Sequence, residues 1–226
     1  GFYAFHSHRI ISFDSCALQP AVFSEITDIC SSWIKNENIS VYNEETGKGL
    51  LRHLYIRIAE KTDEIMVCLV INGERLPKAE ILTDMLKAAL GNRLKSLQIN
   101  INREKTNIIL GDKCAVIYGE PHITDILCNI RVRLSPLSFY QVNRASAELL
   151  YNKAAEYAAP ENKTVLDLYC GAGTIGLSLA DRAKRVIGVE VVPQAIEDAR
   201  FNARLNGIKN AEFICADAKD AAAELE

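Results

Sequence analysis

The run from residue 164 to 215 constrains this 226-residue chain most, because three short apolar stretches alternate there with two helix-patterned ones. Residues 164–169, 185–190 and 211–215 read as strands, and 175–181 and 193–206 as helices. Strands this continuously apolar are expected to be buried on both faces, and the βαβαβ order specifies a parallel, doubly wound sheet. A helix over 144–158 precedes them. Three strands are fewer than a complete domain of this class uses, so the sheet is expected to continue past Glu226.

Between the first strand and its helix lies Gly171-Ala172-Gly173-Thr174-Ile175-Gly176, a G-x-G-x-x-G loop in the strand-loop-helix context that gives such a loop meaning. Glycine is required where the turn is tight and a ligand must lie against the backbone. The loop alone fits NAD, FAD or S-adenosylmethionine, or an ordinary β-α turn. The carboxylates separate these. Asp167, four positions before Gly171, would repel a pyrophosphate and attract the ammonium and sulfonium of a methionine moiety, which favours S-adenosylmethionine. Glu190 ends the second strand and can accept both ribose hydroxyls, and Asp217, just past the third, can accept from an adenine amino group. The plain alternatives are a solvated strand end for Glu190 and a helix N-cap for Asp217.

The first half has a different texture. Residues 1–6 and 9–13 read as strands, 21–35 as a helix, 53–58 and 66–71 as a hairpin joined across 61–64, and 79–90 as a second helix closed by Gly91. Further strands are predicted at 94–102, 106–110, 115–118, 122–126 and 130–134. This makes residues 1–134 a central α+β domain with an antiparallel sheet, and 135–226 the first part of a Rossmann-like α/β domain that the resemblance given below identifies as a methyltransferase domain. The apolar runs are strand-sized, none approaching a membrane span, and the first residues carry no signal-peptide pattern, so the default expectation is cytoplasmic. Seven cysteines (16, 30, 68, 114, 128, 170, 215) without a CxxC pair suit reduced thiols. The net charge of -3, from 26 Lys+Arg against 29 Asp+Glu, gives no support to a nucleic-acid partner. The imbalance is local, since residues 1–135 carry 16 basic and 16 acidic side chains and the remainder 10 and 13. The neutral half would therefore be the better candidate for touching a nucleic acid.

Ser135-Pro136-Leu137-Ser138-Phe139-Tyr140-Gln141-Val142-Asn143, then Ala147-Glu148-Leu149-Leu150-Tyr151 and Val165-Leu166-Asp167-Leu168-Tyr169-Cys170-Gly171-Ala172-Gly173, resembles the bacterial RNA (uracil-C5)-methyltransferases. These make 5-methyluridine in ribosomal and transfer RNA. Gly1-Phe2-Tyr3, Ser7-His8, Cys16-Ala17-Leu18-Gln19, Gly49-Leu50-Leu51-Arg52-His53-Leu54 and Asn202-Ala203-Arg204-Leu205-Asn206-Gly207 are similar to the same family, so the likeness covers nearly the whole chain.

The resemblance implies that Gln141, Tyr169, Glu190, Asp217 and often Thr174 contact S-adenosylmethionine, alongside Asp167, Gly171 and Gly173. For Gln141 the alternative is a loop-to-backbone hydrogen bond. Phe139 and Tyr140 are expected either to stack on a flipped base or to pack in the core. The implied substrate is RNA, 23S ribosomal RNA ahead of transfer RNA, and the implied state a monomer. The family chemistry adds a cysteine thiolate to uracil C6, methylates C5 and removes the C5 proton with a carboxylate. Both groups are expected past Glu226, because Cys170 belongs to the segment cradling the cofactor. Many members also bind an iron-sulfur cluster through three upstream cysteines and one matching Cys16, which could equally be a plain core thiol. Rival readings are a methyltransferase acting on another base or on protein, a catalytically silent RNA-binding module and, last because of Asp167, a nucleotide-dependent oxidoreductase.

Overall fold

A computed structural model describes residues 2–7, 9–12 and 16–224. The chain divides into two compact units, one of Gly1–Ile58 with Ile65–Pro121, the other of Ala59–Glu64 with His122–Glu226. The division falls at Pro121/His122, upstream of the 134/135 boundary expected from composition. The reason is local: the hairpin at 123–134 is hydrogen-bonded to a helix near the chain's end, as described below.

In the first unit, β1 (Phe2–Tyr3) pairs antiparallel with β2 (Ile10–Ile11). The outer residues of those predicted strands, Gly1 and Phe13, lie outside the described residues. Helix α1 (Ala21–Asn36) then precedes β3 (Leu51–Ala59), β4 (Glu64–Ile71), α2 (Ala79–Leu90), β5 (Leu94–Ile101) and β6 (Lys113–Gly119). The sheet order is β3-β4-β5-β6.

Its core follows from periodicity. Ile26, Cys30 and Trp33 recur at helical spacing on α1, Leu82, Leu86 and Leu90 on α2, and both stripes cover the alternate residues Ile65, Val67, Leu69 and Ile71 of β4. The sheet is mixed rather than wholly antiparallel as expected. β3 and β4 are neighbours joined by four residues, the expected hairpin, and β5 and β6 are antiparallel, but β4 and β5 run parallel. The twelve-residue helix between β4 and β5 is the crossover that a parallel pair requires, and the unbroken apolar run Ile65–Ile71 is the corresponding doubly buried strand.

Residues 106–110 are a loop rather than a strand. Asn102 donates to the carbonyls of Ile108 and Ile109, while Asn100 exchanges hydrogen bonds with both backbone groups of Gly111. These side chains take the backbone groups that a ladder would have used.

In the second unit, β7 (Ile123–Leu127) and β8 (Ile130–Leu134) form an antiparallel hairpin. Helix α3 (Arg144–Ala158) starts at Asn143, whose side chain accepts from Ser146 N. Then come β9 (Thr164–Leu168), α4 (Thr174–Ser178), β10 (Arg185–Glu190), α5 (Pro193–Leu205), β11 (Ala211–Cys215) and α6 (Ala218–Glu224). The three strands are parallel in the order β11-β10-β9, as the βαβαβ pattern requires.

Two expectations need correcting. α4 is one short turn, not a helix over 175–181. β9 is not buried: Leu166 and Leu168 are 41% and 38% exposed, because among the described residues this strand pairs on one side only. No helix among the described residues is long and apolar enough to cross a membrane.

Candidate cofactor site

The parallel strands deliver their carboxyl ends to one edge, and there the backbone departs from ordinary geometry. Tyr169, Gly171 and Gly173 all have positive φ (61°, 53° and 79°). For a tyrosine this conformation is uncommon and costs about 1–2 kcal/mol, so the surrounding bonds must hold it. They do. Cys170 N donates to Val189 O at 3.0 Å and Gly173 N to Cys170 O at 2.8 Å.

The two loop glycines differ in what surrounds them. A Cβ on Gly173 would stand 2.9 Å from the Phe213 ring and 3.2 Å from Ala199, whereas a Cβ on Gly171 would meet nothing within 4 Å. Gly173 is therefore a close approach between loop and helix α5, and Gly171 faces open space.

Glu190 organises the edge. One carboxylate oxygen accepts from Gly171 N (3.2 Å) and the other from Val192 N (3.0 Å), so the side chain bridges the loops following β9 and β10. Each carboxylate oxygen keeps a further lone pair, enough for two hydroxyl donors. Exposed apolar groups flank it, Val191 at 60% and Tyr169 at 76%. A half-satisfied carboxylate between open backbone and apolar side chains suits a nucleoside, whose ribose is a diol and whose base is an apolar plate.

The other anticipated residues divide. Asp167 accepts from Gly176 N at 2.8 Å, fixing the first turn of α4, and burial raises its carboxyl above the usual range despite that amide. Thr174 Oγ1 lies 3.2 Å from the Tyr151 hydroxyl of α3. Asp217 accepts from Lys219 N at 2.8 Å and so caps α6, the plain alternative raised for it. Gln141 is exposed in the loop ahead of α3 and takes no part in these bonds.

Tyr140 is half-buried and its hydroxyl donates to the fully buried Asp125 at 3.0 Å. Phe139 is 80% exposed. Cys16 is half-buried, and no cluster of three or more metal-binding side chains occurs among the described residues, so the iron-sulfur expectation finds no support here.

One participant was not anticipated. Asn202 of α5, fully buried, donates to Ala172 O inside the glycine loop and accepts from Arg133 N of β8. The available signal was the polar stripe Asp198, Asn202, Asn206 at four-residue spacing on a helix otherwise apolar toward the sheet.

Comparison with known proteins fits this geometry. Residues 160–226 match a family described as a methyltransferase domain. The whole chain is 45% identical to a protein of Caldanaerobacter subterraneus subsp. tengcongensis named an uncharacterized RNA methyltransferase, covering 50% of it. A protein of Staphylococcus epidermidis with the same description is 45% identical over 97% of this chain and 48% of its own. The chain thus spans about half the length of the curated relatives it matches. Among solved structures, the Pyrococcus abyssi tRNA (uracil-54, C5)-methyltransferase in complex with S-adenosyl-L-homocysteine is similar with a TM-score of 0.79 and 30% identity, over 92% of this chain and 50% of that one.

Proposed function

We propose that this chain, similar along its length to proteins named RNA methyltransferases, contributes the S-adenosylmethionine site of an enzyme that methylates C5 of uridine in RNA. The observation that carries the reading is the Glu190 bridge: a carboxylate at the end of β10, fixed by Gly171 and Val192, beside a glycine whose Cβ direction is empty. Glu190 would take the ribose hydroxyls, Gly171 and Gly173 would let the ligand lie on the backbone, and Tyr169 and Thr174 would border it. Asp167 and Gln141 would face the amino-acid end, Asp217 the adenine. S-adenosylmethionine supplies an electrophilic methyl group when bound. These residues bind and orient it and exclude water, and none of them moves a proton.

The uracil reading rests on the sequence likeness and on the named activity of the Pyrococcus abyssi neighbour. Its chemistry requires a thiolate. Cys170 is poorly suited, since burial first, then the charges of Asp167 and Glu190, push its thiol up to about 12, and its sulfur points to Gly171 O. Cys30 and Cys68 are buried and likewise pushed up to about 12. On the resemblance to the uracil-C5 family, we place nucleophile and base outside these 226 residues, which would leave this stretch inactive by itself. The substrate is proposed to be 23S ribosomal RNA and the protein a cytoplasmic monomer. Transfer RNA is the second reading, favoured by what that neighbour is named to modify.

Two measurements test this. Calorimetry with S-adenosylhomocysteine should show binding that Glu190→Ala weakens by ~1–3 kcal/mol, the worth of hydrogen bonds to a charged group; undiminished binding rejects the ribose assignment. RNA carrying 5-fluorouridine should give a denaturation-resistant adduct with the whole protein, unaffected by Cys170→Ser. Loss of the adduct in that variant would return Cys170 to the chemistry.

A further inference from the structure

The stripe Asp198, Asn202, Asn206 on α5 meets β8 through an agreement of two repeats. Four residues of helix rise about 6 Å and two of strand about 6.6 Å. Asn202 and Asn206 therefore face Arg133 and Arg131 in register, and each accepts that residue's backbone N–H, at 3.0 and 2.8 Å. Asn206 also donates to Arg131 O at 2.8 Å, mimicking a neighbouring strand. Asn202 aims its donor elsewhere, at Ala172 O in the glycine loop, 3.1 Å away. One turn earlier Asp198, also buried, accepts from the Arg133 guanidinium at 3.2 Å and from Ser138 Oγ at 3.4 Å. Ser138 in turn holds Ser135 N, closing the turn that leads to Gln141.

We infer that Asn202 is a positioning residue for the cofactor: its amide fixes the height of the glycine loop against α5 and couples that loop to β8, the strand leading into the Gln141 segment. The inference rests on the cofactor reading above. The loop's other bonds engage different groups, Gly171 N on Glu190 and Gly173 N on Cys170 O, whereas Ala172 O has Asn202 as its partner. Gly173 lies close to Ala199 and Phe213, but that approach makes no bond to the half-buried Ala172, whose carbonyl is held by the fully buried Asn202 amide. Asn206, the residue that caps α5, has the same residue type and hairpin partner and donates to Arg131 O and Asn202 O without touching the loop, which makes it the control for the hairpin contact.

In Asn202→Asp the size and the acceptor for Arg133 N are kept, while the donor to Ala172 becomes an oxygen facing an oxygen. Asn206→Asp makes the same exchange at Arg131. Both should lower the melting temperature. Only Asn202→Asp should weaken S-adenosylhomocysteine, about tenfold, the fold-change equivalent to one hydrogen bond, with Asn206→Asp staying within about twofold. Affinity within twofold of wild type in Asn202→Asp overturns the inference.

Hydrogen exchange in the wild-type protein decides the matter even if that variant does not fold. Added S-adenosylhomocysteine should slow the Arg133 amide, which shares Asn202 with the loop, more than the Arg131 amide. Protection of the glycine-loop amides with Arg133 unchanged overturns the coupling. The failure of the cofactor reading looks different: wild type would bind no S-adenosylhomocysteine, or Glu190→Ala would bind it as wild type does.

Discussion

The described residues make a parallel strand-helix-strand crossing three times, in β4-α2-β5, β9-α4-β10 and β10-α5-β11, and the first two are built for different ends. In the first, the strand is buried from Ile65 to Ile71 and the helix runs twelve residues with Leu82, Leu86 and Leu90 on its inner face. In the second, the strand is half exposed, the helix is five residues long, and the connection holds three positive φ angles within five residues. The first crossing is held by apolar area, the second by backbone amides and carboxylates, with Asp167 holding Gly176, Glu190 holding Gly171, and Asn202 holding Ala172. A crossing that maximises burial leaves nothing for a ligand to bind. One whose strand ends carry strained backbone and half-satisfied acids has spent stability on groups that another molecule can complete.

The strongest way to break this comparison is Leu86→Ala. The side chain is fully buried among the helices and β4, so its loss should cost ~2–5 kcal/mol through lost transfer energy and a cavity. Trp33, the sole tryptophan, lies in the same core and reports the unfolding by fluorescence in a urea titration. Affinity for S-adenosylhomocysteine, measured well below the transition, should be unchanged. If it fell in step with stability, the first crossing would be serving the site as well, and the division drawn above would be wrong.

The same contrast explains what the sequence disclosed. Helices α1, α2, α3 and α5 were legible because each carries an apolar stripe or a start signal of its own, and the glycine loop with Glu190 was legible because a tight turn before a helix, followed by an acid at the next strand end, is a local demand on residue type. The parallel pairing of β4 with β5 was not. A seven-residue apolar run serves a hairpin or a crossover equally well, and only the partner decides. Residues 106–110 were misread as a strand because Ile108, Ile109 and Leu110 are apolar, while the competing bonds come from Asn100 on β5 and Asn102 just past its end. Asn202 was missed for a similar reason: its partner Arg133 lies 69 positions away, and nothing local signals that β8 runs alongside α5. Tyr140 was read as either a stacking or a core group, and its hydrogen-bond partner Asp125, fifteen residues back on β7, could not be seen locally.

The smallest expected effect sharpens the comparison furthest, because it falls on a residue with a claim to both kinds of role. Asp217 caps α6 through Lys219 N, a stabilising bond that needs no ligand, and it also stands at the third strand end, where an adenine amino group would be met. Serine separates the two. It caps a helix about as well as aspartate, so Asp217→Ser should leave stability within a few tenths of a kcal/mol, whereas Asp217→Ala should lose ~0.5–2 kcal/mol. Serine is also shorter by one heavy atom and uncharged, so a ligand bond made by the outer carboxylate oxygen would go. S-adenosylhomocysteine should then bind Asp217→Ser more weakly by ~0.5–1.5 kcal/mol at unchanged stability. Wild-type affinity in the serine variant, together with reduced stability in the alanine variant, would make Asp217 a cap and nothing more. The carboxylate edge of the site would then consist of Asp167 and Glu190 alone, each anchored to a backbone amide of the glycine loop or the helix it opens.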